Sequence, residues 1–389
     1  MPVNPEELAF LVDSPVELTD TGSDHPEVEE GMAFCLSGGG YRAMLFHLGA
    51  LWRLNELGYL RRLTRVSSVS GGSIIAGVLG LNWMALGFDK IGVGRNFDKA
   101  VVEPVRRLAC RTIDAGAFFR GLFWPGSINS MVIDYYRKLL FGDSTLQELP
   151  DDPRFVIVAA NVQSNALWRF MKPYMRDWRV GEVKNPQVPL AFAVAASSAF
   201  PPVLSPAVLK LDPAVFSKGS GSDLQADAFR RKVVLTDGGV IDNLGLETAW
   251  KRYDTIFVSD AGEVIGPQEK PKRGWAGHTL QAVYMIHGQV QSLRKRQLIG
   301  SFIKRERKGA YWGIGSDIRN YGLDKTLECP LEKTARLAKV PIRLRRIAPV
   351  LQERLINWGY AACDTAVRRH FNGSHPEPPH FPYPQAGVG

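Results

Sequence analysis

The sequence predicts an α/β protein with a mainly parallel central sheet covered by helices. Between residues 32 and 260, short apolar runs of strand length alternate with longer runs whose apolar residues recur at helical spacing. Several of the short runs end directly in Gly, Ser or Asp turns, where a parallel sheet carries its functional loops. With 389 residues, 45% of them hydrophobic and 22% charged, the chain has an ordinary globular composition and enough length for a large core.

The elements follow in order. Residues 32–36 read as a buried strand and 43–57 as a helix, with Leu45, Leu48 and Trp52 on one face and Gly58 as terminator. Residues 66–69 form a second strand. The 73–86 stretch, rich in Ala, Gly, Ile and Leu, reads as a helix buried in the domain centre. Helices are predicted over 101–108 and 130–140. Between them, the aromatic cluster of 118–125 suits an acyl-chain pocket, a membrane contact or a packed loop. A strand at 155–160 ends at Asn161, and a short helix at 189–196 runs into Ser197-Ser198-Ala199-Phe200-Pro201-Pro202. Residues 213–230 form a polar loop. Strands at 233–235 and 255–259 end at Asp237 and Asp260. Residues 275–310 read as a long helix followed by a basic stretch. The Pro- and Gly-rich tail from Phe371 is expected to be unstructured. The chain thus divides into an acidic leader (1–30), a catalytic domain (31–262), a basic, largely helical extension packed on it (263–370) and the tail (371–389).

The net charge of +9 is unevenly placed. Residues 1–41 carry no Lys or Arg, so the body is more basic than the total indicates. A basic body favours anionic partners. Nucleic acid is not expected, because no reader motif accompanies the charge. The cysteines Cys35, Cys110, Cys329 and Cys363 are scattered, without CxxC or metal-ligand spacing, which suits a reducing compartment and no metal. There is neither a signal peptide nor an apolar run long enough to span a bilayer. The expectation is a cytoplasmic protein, at most peripheral at a membrane.

Two turns carry the chemistry. Ser37-Gly38-Gly39-Gly40-Tyr41-Arg42-Ala43 follows the first strand and opens the first helix. Glycine amides at a helix N-terminus approach an anion closely, so Gly38, Gly39 and Gly40 are candidate oxyanion donors, with Arg42 adding charge or holding the loop. Ser68-Val69-Ser70-Gly71-Gly72 places Ser70 on a tight strand-to-helix turn, a G-x-S-x-G-like elbow with Ser68 replacing the first glycine and Gly72 as the last. Asp237, before Gly238 and Gly239, would emerge at the same sheet edge and serve as base; Asp242 and Asp260 are less well placed.

Three rival readings stand beside this one. Gly38-Gly39-Gly40-Tyr41-Arg42-Ala43 also fits a dinucleotide fingerprint, but the acid it requires, Glu56, falls inside the helix. The order Ser70, Asp237, His287 formally suits a His-based triad, yet His287 lies in an apolar helical pattern and His47 inside the first helix. A lipid-binding module without turnover is the non-enzymatic alternative.

Together the turns resemble the patatin-like phospholipase family. Gly38–Arg42 matches its glycine-rich oxyanion loop, Ser68–Gly72 its nucleophile elbow, Asp237-Gly238-Gly239 its D-G-[GA] motif, and 196–201 its A-S-x-A-x-P segment. The matches fall in family order over roughly residues 31–262. The resemblance implies a three-layer α/β/α sandwich, a Ser70–Asp237 dyad and hydrolysis of acyl esters in phospholipids or lysophospholipids, without a metal or other cofactor. The expected partner is a membrane lipid, with Arg294, Lys295, Arg296, Lys304 and Arg305 as candidate contacts to an anionic surface.

Overall fold

The structure, a computed structural model, describes residues 28–113, 127–202, 204–262 and 274–389. Most of the acidic leader and the aromatic cluster 118–125 lie outside the described residues. β1 (Glu29–Leu36) leads into α1 (Gly40–Glu56), and β2 (Arg65–Val69) into α2 (Gly71–Leu81). Helices α3 (Glu103–Ala109) and α4 (Ser127–Tyr136) precede β3 (Arg154–Asn161), β4 (Ala166–Phe170), β5 (Tyr174–Asp177) and β6 (Gly181–Lys184). Then come α5 (Leu190–Ser197), β7 (Ala207–Lys210), β8 (Lys232–Asp237) and β9 (Tyr253–Asp260). The long α6 (Trp275–Ile303), β10 (Lys308–Gly313), α7 (Leu331–Ala338) and α8 (Pro349–His370) complete the chain.

The sheet has ten strands, with the path β10-β9-β1-β2-β3-β4-β5-β6, and β8 and β7 branching from β3. Its parallel part is β10, β9, β1, β2 and β3. Pairings of β3 with β4 and β8, of β4 with β5, of β5 with β6 and of β7 with β8 are antiparallel. The expected mainly parallel sheet therefore describes only one half. The other half turns back because links of four, three and three residues join β3, β4, β5 and β6 in turn, and such links allow only hairpins.

Alternation along the strands sorts side chains to two faces. Met32, Phe34 and Leu36 of β1 join the main core, while Ala33 and Cys35 join a cluster with Ile256, Val258, Leu244, Leu246 and Leu298. In β3, Phe155, Ile157 and Ala159 face the main core, and Val156 and Val158 the other side. α1, α2, α5 and α8 contribute to the main core. α6 and the chain around 239–250 cover the opposite face, which completes three layers.

The C-terminal part is built into this core. β10 extends the sheet beside β9, and Trp312 and Trp358 are fully buried. α8 lies against α1 so closely that a Cβ at Gly359 would sit 1.8 Å from Phe46 O, and one at Gly49 1.9 Å from Ile356 O. Arg53 of α1 reaches Asp364 of α8 at 2.8 Å. The tail has no helix or strand, yet it is not loose, contrary to expectation. Asn357 donates to Tyr383 O at 2.8 Å and Gly387 O at 2.7 Å, and Arg53 donates to Pro376 O at 2.9 Å. Backbone groups that form no regular element are satisfied here by side chains of α1 and α8.

Candidate active site

Register brings the two turns and Asp237 together. β2 runs parallel to β3 and ends with Val69 opposite Val158. β8 runs antiparallel along the same edge of β3 and ends with Asp237 opposite Ala159. The C-termini of β2 and β8 therefore meet head to head, and the residue after Val69 is Ser70. The Ser70 hydroxyl lies beside the Asp237 carboxylate and favours its ionised form. The Gly239 N–H donates to Asp237 Oδ1 at 2.7 Å. Burial pushes Asp237 up to about 6, against the pull of these two donors.

Ser70 has φ 51° and ψ −119°, a conformation that side-chain-bearing residues rarely adopt. Such strain costs about 1–3 kcal/mol and marks an over-determined turn. The turn is braced by serines. Ser70 N–H donates to Ser197 Oγ at 2.9 Å, and Ser197 Oγ donates to Val158 O at 2.6 Å. Ser73 Oγ contacts Ser197 Oγ at 2.9 Å and donates to Ser68 Oγ at 3.1 Å, while Ser68 donates to Val156 O at 3.3 Å. Ser68 is thus a participant in the brace, with a hydroxyl where the G-x-S-x-G pattern has no side chain. Gly71 and Gly72 let α2 start against the glycine loop: a Cβ at Gly71 would lie 2.2 Å from Gly40 O, and one at Gly72 2.5 Å from Leu36 O.

Gly39 (φ 144°) and Gly40 (φ 60°) take backbone conformations that favour glycine and place the start of α1 beside Ser70. Their amides donate to no acceptor among the described residues. The Gly38 amide differs: it donates to Asn243 O at 3.0 Å. Gly38 therefore lets the loop lie close to Ser70, since a Cβ there would sit 3.3 Å from Ser70 Cβ, but its N–H is already taken. Of the two roles expected for Arg42, its contacts fit holding the loop. Its guanidinium donates to Ala338 O, Val340 O, Ala261 O and Gly262 O at 2.6–3.0 Å. Carbonyls of 261–262 and of the chain at the end of α7 hold its two terminal nitrogens, so it acts as a strut.

Gly238 sits against Val158 O, and Gly239 beside Asn243 Oδ1. Asn243 wedges between the glycine loop, the Asp237 turn and Gly262. Neither Asn243 nor the bracing pair Ser73 and Ser197 stood out in the sequence. The only signal was the A-S-x-A-x-P match that contains Ser197.

The rival groups are engaged elsewhere. Asp260 pairs with Lys295 at 2.5 Å and accepts from Tyr311 at 2.7 Å. Asp242 Oδ2 accepts the Glu247 N–H at 2.7 Å. His47 is buried; Nε2 must donate to Ser37 O at 3.0 Å, so Nδ1 accepts from Ser259 Oγ at 2.8 Å. Burial lowers His47 to about 4, which keeps this ring neutral. His287 contacts Gln291 at 2.7 Å. Glu56, the acid a dinucleotide fold would need, pairs with Arg53 and accepts from Tyr360. Among the described residues no group of three His, Cys, Asp or Glu side chains is placed to hold a metal.

The basic contacts expected on the 294–305 stretch need correction. Arg294 pairs with Glu247 at 2.7 Å and Lys295 with Asp260, both inside the fold. Arg296, Lys304 and Arg305 remain exposed.

Three solved structures are similar to this chain. Human GIVD cytosolic phospholipase A2 in complex with methyl gamma-linolenyl fluorophosphonate is 14% identical, with a TM-score of 0.48, covering 86% of this chain and 57% of that one. Another structure of human GIVD cytosolic phospholipase A2 is 14% identical, with a TM-score of 0.39, covering 65% and 47%. VipD from Legionella pneumophila is 15% identical, with a TM-score of 0.36, covering 89% and 67%. The chain thus spans about half the length of the human enzyme. No curated protein matches it in sequence. Residues 34–250 match the model of the patatin-like phospholipase family, a stretch that holds the glycine loop, Ser70 and Asp237, and the chain belongs to that family.

Proposed function

We propose that the protein is a serine acyl hydrolase that cleaves fatty-acyl esters of phospholipids or lysophospholipids through a Ser70–Asp237 dyad. The family supports lipid acyl hydrolysis in general terms. The observation that carries the dyad is the placement of Ser70, held at positive φ, beside a buried carboxylate whose ionised form it favours. In the first step Asp237 takes the Ser70 proton as Oγ attacks the ester carbonyl carbon. The carbonyl oxygen becomes an oxyanion, stabilised by the Gly39 and Gly40 amides and the N-terminal end of α1. Asp237 returns the proton to the leaving alcohol, and the C–O ester bond breaks to leave an acyl-Ser70. Water, deprotonated by Asp237, then releases the fatty acid and restores the hydroxyl. A carboxyl raised to about 6 is a stronger base than an ordinary aspartate and is still largely ionised at neutral pH.

No histidine is required for this sequence of steps. The neutral, doubly bonded His47 and the Gln291-bound His287 favour the dyad over a triad. Lipid profiling of mixed phospholipids tests the reading. The wild type is expected to release fatty acids and lysolipids that Ser70→Ala does not. Equal release by both proteins would overturn it.

A further inference from the structure

α6 is inverted relative to an ordinary crossover helix. A helix that joins two parallel strands normally turns its apolar face to the sheet. Here Arg294 and Lys295 reach inward to Glu247 and Asp260, beside buried Gln291, Leu298 and Ser301. Val283, Ile286, Val290 and Leu293, spaced three, four and three apart, are exposed on the outer side. Trp275, at the start of the helix, is 86% exposed and Ile286 65%. From Trp275 to Leu293 the sequence has no Asp, Glu, Lys or Arg.

The place of this stripe is fixed by the chain path. α6 returns from the C-terminal edge of the sheet, where Ser70 and Asp237 lie, to the start of β10. It meets that edge at Lys295, which holds Asp260, and at Gln291, which lies beside Gly262. No described residue of 274–290 is buried. From Trp275 to Gln291 this unburied part runs roughly 24 Å at about 1.5 Å per residue. The apolar side of α6 therefore overhangs the edge that carries the site.

A basic rim shares the edge. Between α7 and α8, the chain at Arg343 lies against the glycine loop: Tyr41 N–H donates to Arg343 O at 3.2 Å. Leu344 and Ile347 are buried and pin this loop, while Ile342, Arg343, Arg345 and Arg346 are exposed. None of these three arginines pairs with a carboxylate among the described residues. Beside Asp237, Phe200 and Val240 are exposed as well.

We infer that this edge is a membrane-docking face whose partner is an anionic lipid bilayer. The outer stripe of α6 enters the boundary between headgroups and acyl chains, and Arg343, Arg345 and Arg346 lie against lipid phosphates. An uncharged apolar helix face with a terminal Trp, beside unpaired cations, is complementary to that boundary. Each arginine at an anionic surface contributes about fivefold to binding. The choice of lipid as occupant rests on the hydrolase reading above.

Co-sedimentation of the full chain with vesicles tests the inference. Ser70→Ala serves as parent, so that turnover does not alter the lipid. Vesicles of phosphatidylcholine alone are compared with vesicles containing about 30% phosphatidylserine. The parent is expected to bind the anionic vesicles. Ile286→Glu with Leu293→Glu should weaken binding to both compositions by about tenfold or more. Arg345→Glu with Arg346→Glu should lose about 25-fold or more only on anionic vesicles, and salt at about 0.5 M should weaken the parent's binding to those vesicles. If the glutamate pair lowers the thermal midpoint, Ile286→Ser with Leu293→Ser replaces it. A parent that binds neither vesicle would overturn the inference. So would variants that bind like the parent, or light scattering that shows a dimer dissolved by the α6 changes with vesicle binding intact. Binding is read with the serine removed, so either failure leaves the dyad chemistry standing. An enzyme inactive on soluble esters that still binds vesicles would fail the hydrolase reading alone.

Discussion

Replacing Asp237 by asparagine exchanges a buried carboxylate for a neutral isostere. The amide oxygen still accepts from Gly239 N–H, and the side-chain NH2 can face Ser70 Oγ. What changes is the charge. The folded carboxyl titrates at about 6, against an ordinary value of 3.8. Between these values the native state holds a proton that the unfolded chain has lost. Stability therefore falls as pH rises through this window, with no loss below about 4 and the full loss above about 6. A shift of about two units corresponds to about 3 kcal/mol by linkage. Asp237→Asn is expected to gain about that much at pH ~8, or ~4 °C in thermal midpoint for a chain of this length, and close to nothing at pH ~4. Ester hydrolysis is expected to be abolished in the same variant. Urea unfolding at the two pH values, with m-values compared, measures the gain. A variant less stable than the parent at pH ~8, or a gain that does not change with pH, would refute the argument that burial destabilises the Asp237 charge.

The same titration sets the pH profile: kcat/KM on a soluble ester should rise with an apparent pKa near 6, because only ionised Asp237 accepts the Ser70 proton; a flat profile from pH ~5 to ~8 would count against it. Ser68→Gly, which restores the G-x-S-x-G pattern, removes the bonds to Val156 O and Ser73 and is expected to cost about 1–2 kcal/mol in urea unfolding, with turnover no higher than the parent's. Gly359→Val drives a side chain into Phe46 O and is expected to lose about 3 kcal/mol or more; an unchanged urea midpoint would mean that α1 and α8 are packed differently.

The parts of the site that were legible in the sequence are those set by local backbone chemistry. Gly39 and Gly40 announce positive φ, and Ser70 before two glycines announces a tight turn. Asp237 was legible because a strand that ends in Asp-Gly-Gly places its carboxylate at a sheet edge. What escaped depends on partners distant in sequence. The Arg42 side chain takes its direction from carbonyls at 261–262 and 338–340, which no local pattern names. The commitment of the Gly38 amide depends on Asn243, about two hundred residues away. Arg294 and Lys295 read as a surface patch because their partners, Glu247 and Asp260, meet them only in the folded chain. The antiparallel half of the sheet was missed for another reason. β4, β5 and β6 are short and mix charged with apolar residues, so their pairing is set by the hairpins that join them. The tail misled by composition: proline and glycine rule out helix and strand, but not docking by side chains from elsewhere.

Covalent capture of the nucleophile tests the central claim most directly. A fluorophosphonate probe incubated with the wild type, Ser70→Ala and Asp237→Asn, followed by intact mass and peptide mapping, reports both residues at once. The account predicts one adduct, on Ser70 in the wild type, none in Ser70→Ala, and labelling of Asp237→Asn slowed by about a hundredfold or more for want of its base. An adduct on a different residue, or labelling of Asp237→Asn at the wild-type rate, would contradict it.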